Sequence, residues 1–220
     1  MIIATTPGLS FDEASHTYRF KGRDVPSVTQ VLEDNRLRAD LSAIPAGVLE
    51  RARQRGLAVH LATHFDDEGT LDERTVDPVI WPYVQAWRAF KIARHVEIVE
   101  MERRMVHSTL GYAGTLDRVL RADVGRRKAL VLADIKTGDQ SGVGFQLAAY
   151  QELYRNACGE SVVMQRWSIV LHPERRIPYT VHEFSDIRDW RIFRAALDLT
   201  LVRAEQGRSW REHHAELRTA

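Results

Sequence analysis

The sequence predicts an α/β fold, a mixed central β-sheet flanked by helices, on three observations. The run Ala129-Leu-Val-Leu-Ala-Asp134-Ile-Lys136 is almost continuously apolar and reads as a central strand covered on both faces. Helical periodicity precedes and follows it. The overall order is helices, a three-strand meander, a helix and further strands, which is the pattern of a layered sheet. With 220 residues, 44% of them hydrophobic, the chain can bury a substantial core as one domain. Within it, residues 1–95 form an N-terminal hairpin and helical part, 96–185 a core sheet and helix, and 186–220 a final helix and tail.

Taken in order, Leu9 to Val25 reads as a small hairpin, with alternation in His16-Thr-Tyr-Arg-Phe20 and a turn at Lys21-Gly22-Arg23. Pro26-Ser27-Val28-Thr29 opens a helix through Val31 and Leu32, with Ser27 or Thr29 as N-cap. Pro45 to Asp67 reads as one or two helices, with Arg51, Arg53 and Arg55 on the exposed side. His60 and His64 are four apart, so both rings can share a helix face. His-Leu-Ala-Thr-His lacks the glutamate that a zinc-peptidase helix needs, so His64 is expected to be structural. Asp77 to His95 is a further helix whose basic edge, Arg88, Lys91 and Arg94, is expected to be solvated.

Val96 to Glu102 reads as a strand and Ser108 to Gly111 as a turn. Tyr112 to Arg121 is the next strand, and Asp123 and Gly125 supply the turn into the apolar run. Val143 to Cys158 is a helix that puts Gln146 and Tyr150 on one face. Val162 to His172 and Ile177 to Phe184 read as strands. Asp186 caps a final helix with Trp190, Phe193, Leu197, Leu201 and Ala204 at core spacing, ended by Gly207.

Asp134 and Lys136 stand out, because charges in an apolar strand cost several kcal/mol unless paired or metal-bound, roughly as for any buried ion. Two apart on a strand, they share a face. If the neighbouring strands pair across the short turn, Asp117 approaches Asp134. Two close carboxylates beside a lysine suit a hard divalent cation, Mg²⁺ or Mn²⁺, although a cross-strand ion pair at a sheet end explains them equally well.

The ordered set Gly114-Thr-Leu-Asp117, Asp134-Ile-Lys136-Thr-Gly138 and Gln146-Leu-Ala-Ala-Tyr150 resembles the RecB-like branch of the PD-(D/E)xK nuclease superfamily. Arg55-Gly56-Leu-Ala-Val-His60 matches a G-x-x-x-H element of that branch. The Pro-Ser-Val-Thr helix start is similar to phage exonucleases related to the mitochondrial genome maintenance exonuclease. The resemblance implies a restriction-endonuclease-like core and a metal-dependent DNA exonuclease of phage or prophage recombination and genome processing. DNA ends are the implied partner, together with a phage recombination or annealing protein. It implies metal ligation by Asp117, Asp134, His60 and the backbone carbonyl of Ile135. Glu102 supports metal or water, in preference to Glu100 or Glu97, and Lys136 positions the attacking water. Gln146, Tyr150, Ser27, Thr29, Arg118 and Thr137 are the expected substrate contacts. A structure-specific endonuclease and a catalytically silent DNA-binding partner are the alternatives.

Composition narrows the field further. A net charge of +1 carries no bulk basic character, so nucleic acid would be held by a local surface. The single cysteine, Cys158, excludes an internal disulfide and a four-cysteine cluster. The first residues are too short and polar for a signal peptide, and no run reaches spanning length, so a cytoplasmic location is expected.

Overall fold

A computed structural model of the chain describes residues 5–138, 140–159 and 162–207. The expected loose tail beyond Gly207, and Asp139 in the loop after Lys136, lie outside the described residues. The architecture is the mixed α/β one. Five strands, β4 (Glu97–His107), β5 (Tyr112–Val124), β6 (Arg127–Lys136), β7 (Gln165–Leu171) and β8 (Tyr179–Phe184), lie in that order across one sheet. All neighbours are antiparallel except β6 and β7. That parallel pair is joined through helix α4 (Val143–Cys158), since parallel strands need a crossover.

The β5–β6 connection has two residues between Val124 and Arg127, and Gly125 there takes φ +62°, a backbone that favours glycine. β6 sits centrally, as its apolar run requires. Leu132 packs into a core with α4, α1 (Val28–Asp34) and α5 (Arg188–Glu205). Val131, Ala133 and Ile135 pack on the opposite face against α2 (Ala46–Glu68) and α3 (Trp81–Ala93). A small sheet, β1 (Leu9–Asp12), β2 (Thr17–Phe20) and β3 (Arg23–Val25), covers the end of β4 and β5 through Leu9, Tyr18 and Val25.

Several local expectations change. The segment from Ala46 to Glu68 is one helix of 23 residues, stopped by Gly69 in the left-handed conformation. Arg55 lies on its half-buried side, with its Nε enclosed and unpaired among the described residues, whereas Arg51 and Arg53 are exposed. α3 starts at Trp81, because Asp77 closes a preceding turn by accepting from the Val79 amide. Asp186 lies just outside α5 and takes the Arg188 amide and guanidinium.

The basic edge of α3 is not a solvated face. Arg88 and Lys91 both reach Asp66 of α2, at 2.6 and 2.9 Å, and Lys91 reaches Asp67 at 2.7 Å. Arg94 lies over the Trp167 ring and donates to the Asp123 carbonyl. Lysine and arginine stems cover apolar surface while their heads find the acids of the neighbouring helix. Among the described residues no helix is long and apolar enough to cross a membrane.

Burial alone would raise the Asp66 carboxyl, but Arg88 and Lys91 outweigh it and hold it below the usual range. A depressed carboxyl contributes stability above its unfolded value, about pH 4, and that contribution is lost as pH falls through the folded value. Asp66→Asn is therefore expected to cost about 1–3 kcal/mol at pH 7 and to flatten the loss of stability below about pH 4. Urea unfolding across pH 2–7 measures this, and parallel profiles for the two proteins would contradict it.

Candidate metal centre at a split in the sheet

The β5–β6 ladder pairs residue for residue from Val124↔Arg127 as far as Arg118↔Ala133. One step further the amide of Ile135 donates to the Asp117 carboxylate, at 2.9 Å. A side chain has entered where the ladder would continue, and the two strands part around it. β5 also changes faces here. Leu116 packs into the core under α4, whereas Arg118 points to α2 and meets Asp67. Asp117, between them, stands in the split and is 7% exposed.

β4 makes a matching change. Met101 pairs with Arg118 and Arg103 with Leu116, so Glu102 stands opposite Asp117. Glu102 has φ +49°, a left-handed backbone inside a strand. For a residue with a Cβ this costs on the order of 1–3 kcal/mol and persists only where the surroundings enforce it. The strand alternation is broken in consequence, so Glu100 and Glu102 do not share a face. Glu100 turns to Tyr154 and Arg103, and Glu97 pairs with Lys128 and Arg121. Of the three acids, Glu102 alone joins Asp117.

The third member comes from α2. His60 Nδ1 lies 3.4 Å from Asp117 Oδ2, and one donor atom each from His60, Glu102 and Asp117 lie within 4.8 Å of one another. Two neighbouring donors on one octahedral ion of the magnesium type stand about 3 Å apart, so the 3.4 Å between His60 and Asp117 is close to what a small divalent cation needs. The electrostatics fit as well. Burial and the Asp117 charge push the Glu102 carboxyl up to about 7. Burial opposes ionisation of Asp117, but Arg118, His60 and the Ile135 amide outweigh it and hold Asp117 well below the usual range. Burial would lower His60, and the Asp117 charge reverses that to a net upward shift. An imidazole and two crowded carboxylates that compete for protons form a donor set that a cation would relieve.

Asp134 stands beside this trio. It is 5% exposed and shares a strand face with Lys136, whose Nζ lies 2.7 Å from Asp134 Oδ2. That contact is not aligned as a hydrogen bond, which leaves Oδ2 enclosed without a directed partner among the described residues. The Asp134 charge is felt by His60 on one side and Tyr150 on the other.

The Gly114 and Tyr150 motif residues explain each other. A Cβ at Gly114 would lie 2.6 Å from the Tyr150 ring and 3.2 Å from Val28, so the tyrosine can pack on the strand only over a glycine. Tyr150 also receives a long hydrogen bond of 3.4 Å from the Gln146 amide. Gly56 differs from Gly114: a Cβ there would make only ordinary contact with the Thr137 hydroxyl, at 3.8 Å, so the approach of α2 to the loop after β6 does not require glycine.

The remaining expected residues have the following surroundings. Ser27 is the N-cap of α1 in a reciprocal capping box with Gln30, so its hydroxyl already serves the helix. Thr29 is half-buried in the first turn. The Ile135 side chain is in the core and its amide is taken by Asp117. Arg118 is a correction: it is 0% exposed and bound to Asp67 and Asp117, so it has no surface to offer a substrate. His64 is buried beside Glu68, in keeping with a structural role.

Comparison with known proteins agrees with the fold. No family model matches the chain, and no curated protein sequence does. Among solved structures, the crystal structure of a "putative exonuclease" from Eubacterium rectale is similar, with a TM-score of 0.50 at 12% identity over 84% of this chain and 82% of that one. At that identity the likeness establishes a shared mixed α/β fold.

Two outcomes follow from the local geometry. Gly114→Ala should destabilise by about 1–3 kcal/mol through overpacking, and the penalty should shrink in a Tyr150→Ala background. Denaturant titrations of the four proteins in that cycle measure it. Glu102→Gly should leave stability equal or higher, by up to about 1–2 kcal/mol, because it removes a strained backbone and a crowded acid. The same change should weaken Mn²⁺ binding in calorimetry.

Proposed function

We propose that the chain is a metal-dependent deoxyribonuclease, an exonuclease that hydrolyses phosphodiester bonds at DNA ends. The observation that carries the reading is the convergence of His60, Glu102 and Asp117 at the split in the sheet, with the Asp134–Lys136 pair alongside. His60, Glu102 and Asp117 would hold Mg²⁺ or Mn²⁺, with Asp134 on the neighbouring strand completing the acidic side. When bound, such an ion polarises the phosphoryl group and lowers the pKa of water.

The protein's own groups do the rest. Asp117 and Glu102 are held in fixed positions by buried hydrogen bonds and a constrained backbone, so little reorganisation is needed when substrate arrives. The Lys136 ammonium, one-fifth exposed, donates to the attacking water and offsets the negative charge that develops on the phosphoryl oxygens. Asp134 keeps that ammonium in place. Gln146 and Tyr150, one turn apart on α4, steady the sugar–phosphate chain beside it. Thr137, at the mouth where α2 meets the loop, is a further contact.

The placement of this activity in phage recombination or genome processing, with a recombination or annealing protein as partner, rests on the sequence resemblance. End-labelled single- and double-stranded DNA, incubated with Mg²⁺, Mn²⁺ or chelator, tests the activity, and a covalently closed circle separates the modes. An exonuclease degrades the linear form and leaves the circle intact. Asp134→Ala and Lys136→Ala should each lower cleavage by about 10²-fold or more while the protein still folds. Wild-type rates in either variant would end the proposal.

A further inference from the structure

Among the described residues, Arg118 is the one buried cation in contact with the site that the proposed chemistry does not use. Its guanidinium works along two edges. Nε donates to Asp67 Oδ2 at 2.9 Å, and both side chains are 0% exposed. Nη1 donates to Asp117 Oδ1 at 2.5 Å and to the Asp117 carbonyl at 3.0 Å, and lies 3.5 Å from Glu102 Oε1. Asp67 is fixed in turn from α3, by Trp87 Nε1 at 2.8 Å and Lys91 Nζ at 2.7 Å. A continuous line therefore runs from α3 through Asp67 and Arg118 to the acid in the split.

The division of Asp117 between its two oxygens is the informative feature. Oδ2 faces His60 and the Ile135 amide, and Oδ1 is taken by Arg118. α2 controls both sides, because it carries His60 for one oxygen and Asp67, two turns further on, for the anchor of the other. A structural ion pair between Arg118 and Asp67 would need only the Nε edge. The second edge does something further: it leaves Asp117 one oxygen to offer an ion.

We propose that Arg118, anchored by Asp67, is a positioning residue that restricts Asp117 to single-oxygen coordination and so biases the site toward small octahedral divalent cations over calcium. The physical reason lies in the ions. Magnesium-sized ions take six ligands in near-ideal octahedral geometry, whereas calcium takes six to eight and favours carboxylates that bind through both oxygens. Blocking Oδ1 costs calcium a ligand and costs the smaller ion nothing. Groups that fix a ligating side chain typically alter metal affinity by 10–100-fold when removed, roughly the scale expected here. The inference rests on the metal-centre reading above, and it concerns ion choice and not hydrolysis.

The test is calorimetric titration of Mn²⁺ and of Ca²⁺ into wild type, Arg118→Lys and Asp67→Asn, without DNA. Arg118→Lys keeps a charge and loses the fork, so the general attraction for cations is retained. The ratio of the Ca²⁺ to the Mn²⁺ dissociation constant is expected to fall by about tenfold in Arg118→Lys, and in the same direction by less in Asp67→Asn. A loss of packing alone would weaken both ions together and leave the ratio unchanged. Circular dichroism checks folding. If Arg118→Lys does not fold, Asp67→Asn and Trp87→Phe, which loosens the Asp67 anchor, carry the comparison. A ratio within about twofold of wild type in the folded variants would overturn the proposal, whatever the DNA assay shows. A shifted ratio in a protein that cleaves no DNA would retain it and remove the nuclease reading. A wild-type protein that binds neither ion would overturn both.

Discussion

Among the described residues, the side chains of Asp66, Asp67, Asp117 and Asp134 are almost wholly removed from water, with Glu102 partly so, and the rest of the arrangement depends on how their charge is offset. Isolated carboxylates at such positions would be protonated or would unfold the region, because the desolvation cost runs to several kcal/mol, about the size of a domain's net stability. Arg118 sits among Asp67, Asp117 and Glu102, Lys91 holds Asp67 from the other side, and Lys136 holds Asp134. The compensation is incomplete at one place. Glu102 is left with a carboxyl near 7 and a strained backbone, opposite an Asp117 that is kept ionised. Local unfavourable energy of this kind, held by a well-packed surround, is what marks the place as a candidate site.

The backbone makes room for that chemistry by giving up regular pairing. β5 and β6 part where Ile135 donates to a side chain, and β4 bends where Glu102 turns left-handed. β5 changes faces at Asp117, so neighbouring residues serve both cores: Leu116 and Val119 lie under α4, Arg118 and Leu120 under α2. The crossover helix α4 then brings Tyr150 onto Gly114, which seats it over the same split. These two departures from an ideal sheet gather around Asp117, and a further register shift in β4 lies between Ile98 and Glu100.

Much of this was legible in the sequence because it follows from short-range patterns. The apolar run of β6, its central place and the shared face of Asp134 and Lys136 come from strand periodicity alone. The resemblance carried by the residues from Gly114 to Tyr150 named Asp117 and Asp134 as candidate acids, and helical periodicity set α4 after them. What was not legible depends on contacts distant in sequence or on a broken period. Nothing in Glu97, Val99, Glu100 or Glu102 announces a left-handed residue, and simple alternation would put Glu100 and Glu102 on one face, whereas their side chains diverge. Arg118 follows the motif acid and looked like a substrate contact. Its burial is set by Asp67, 51 residues earlier. Arg88 and Lys91 looked solvated for the same reason, since the acids that draw them inward lie on another helix.

The claim most open to direct test is that His60, from α2, shares one divalent ion with acids from two strands. Pulsed electron paramagnetic resonance of the Mn²⁺-loaded protein reads this without reference to any reaction, because an imidazole nitrogen bound to manganese modulates the echo decay. The account predicts a nitrogen coupling in the wild-type protein that disappears in His60→Ala. A bound Mn²⁺ whose spectrum shows water and carboxylate alone, unchanged by that substitution, would contradict it.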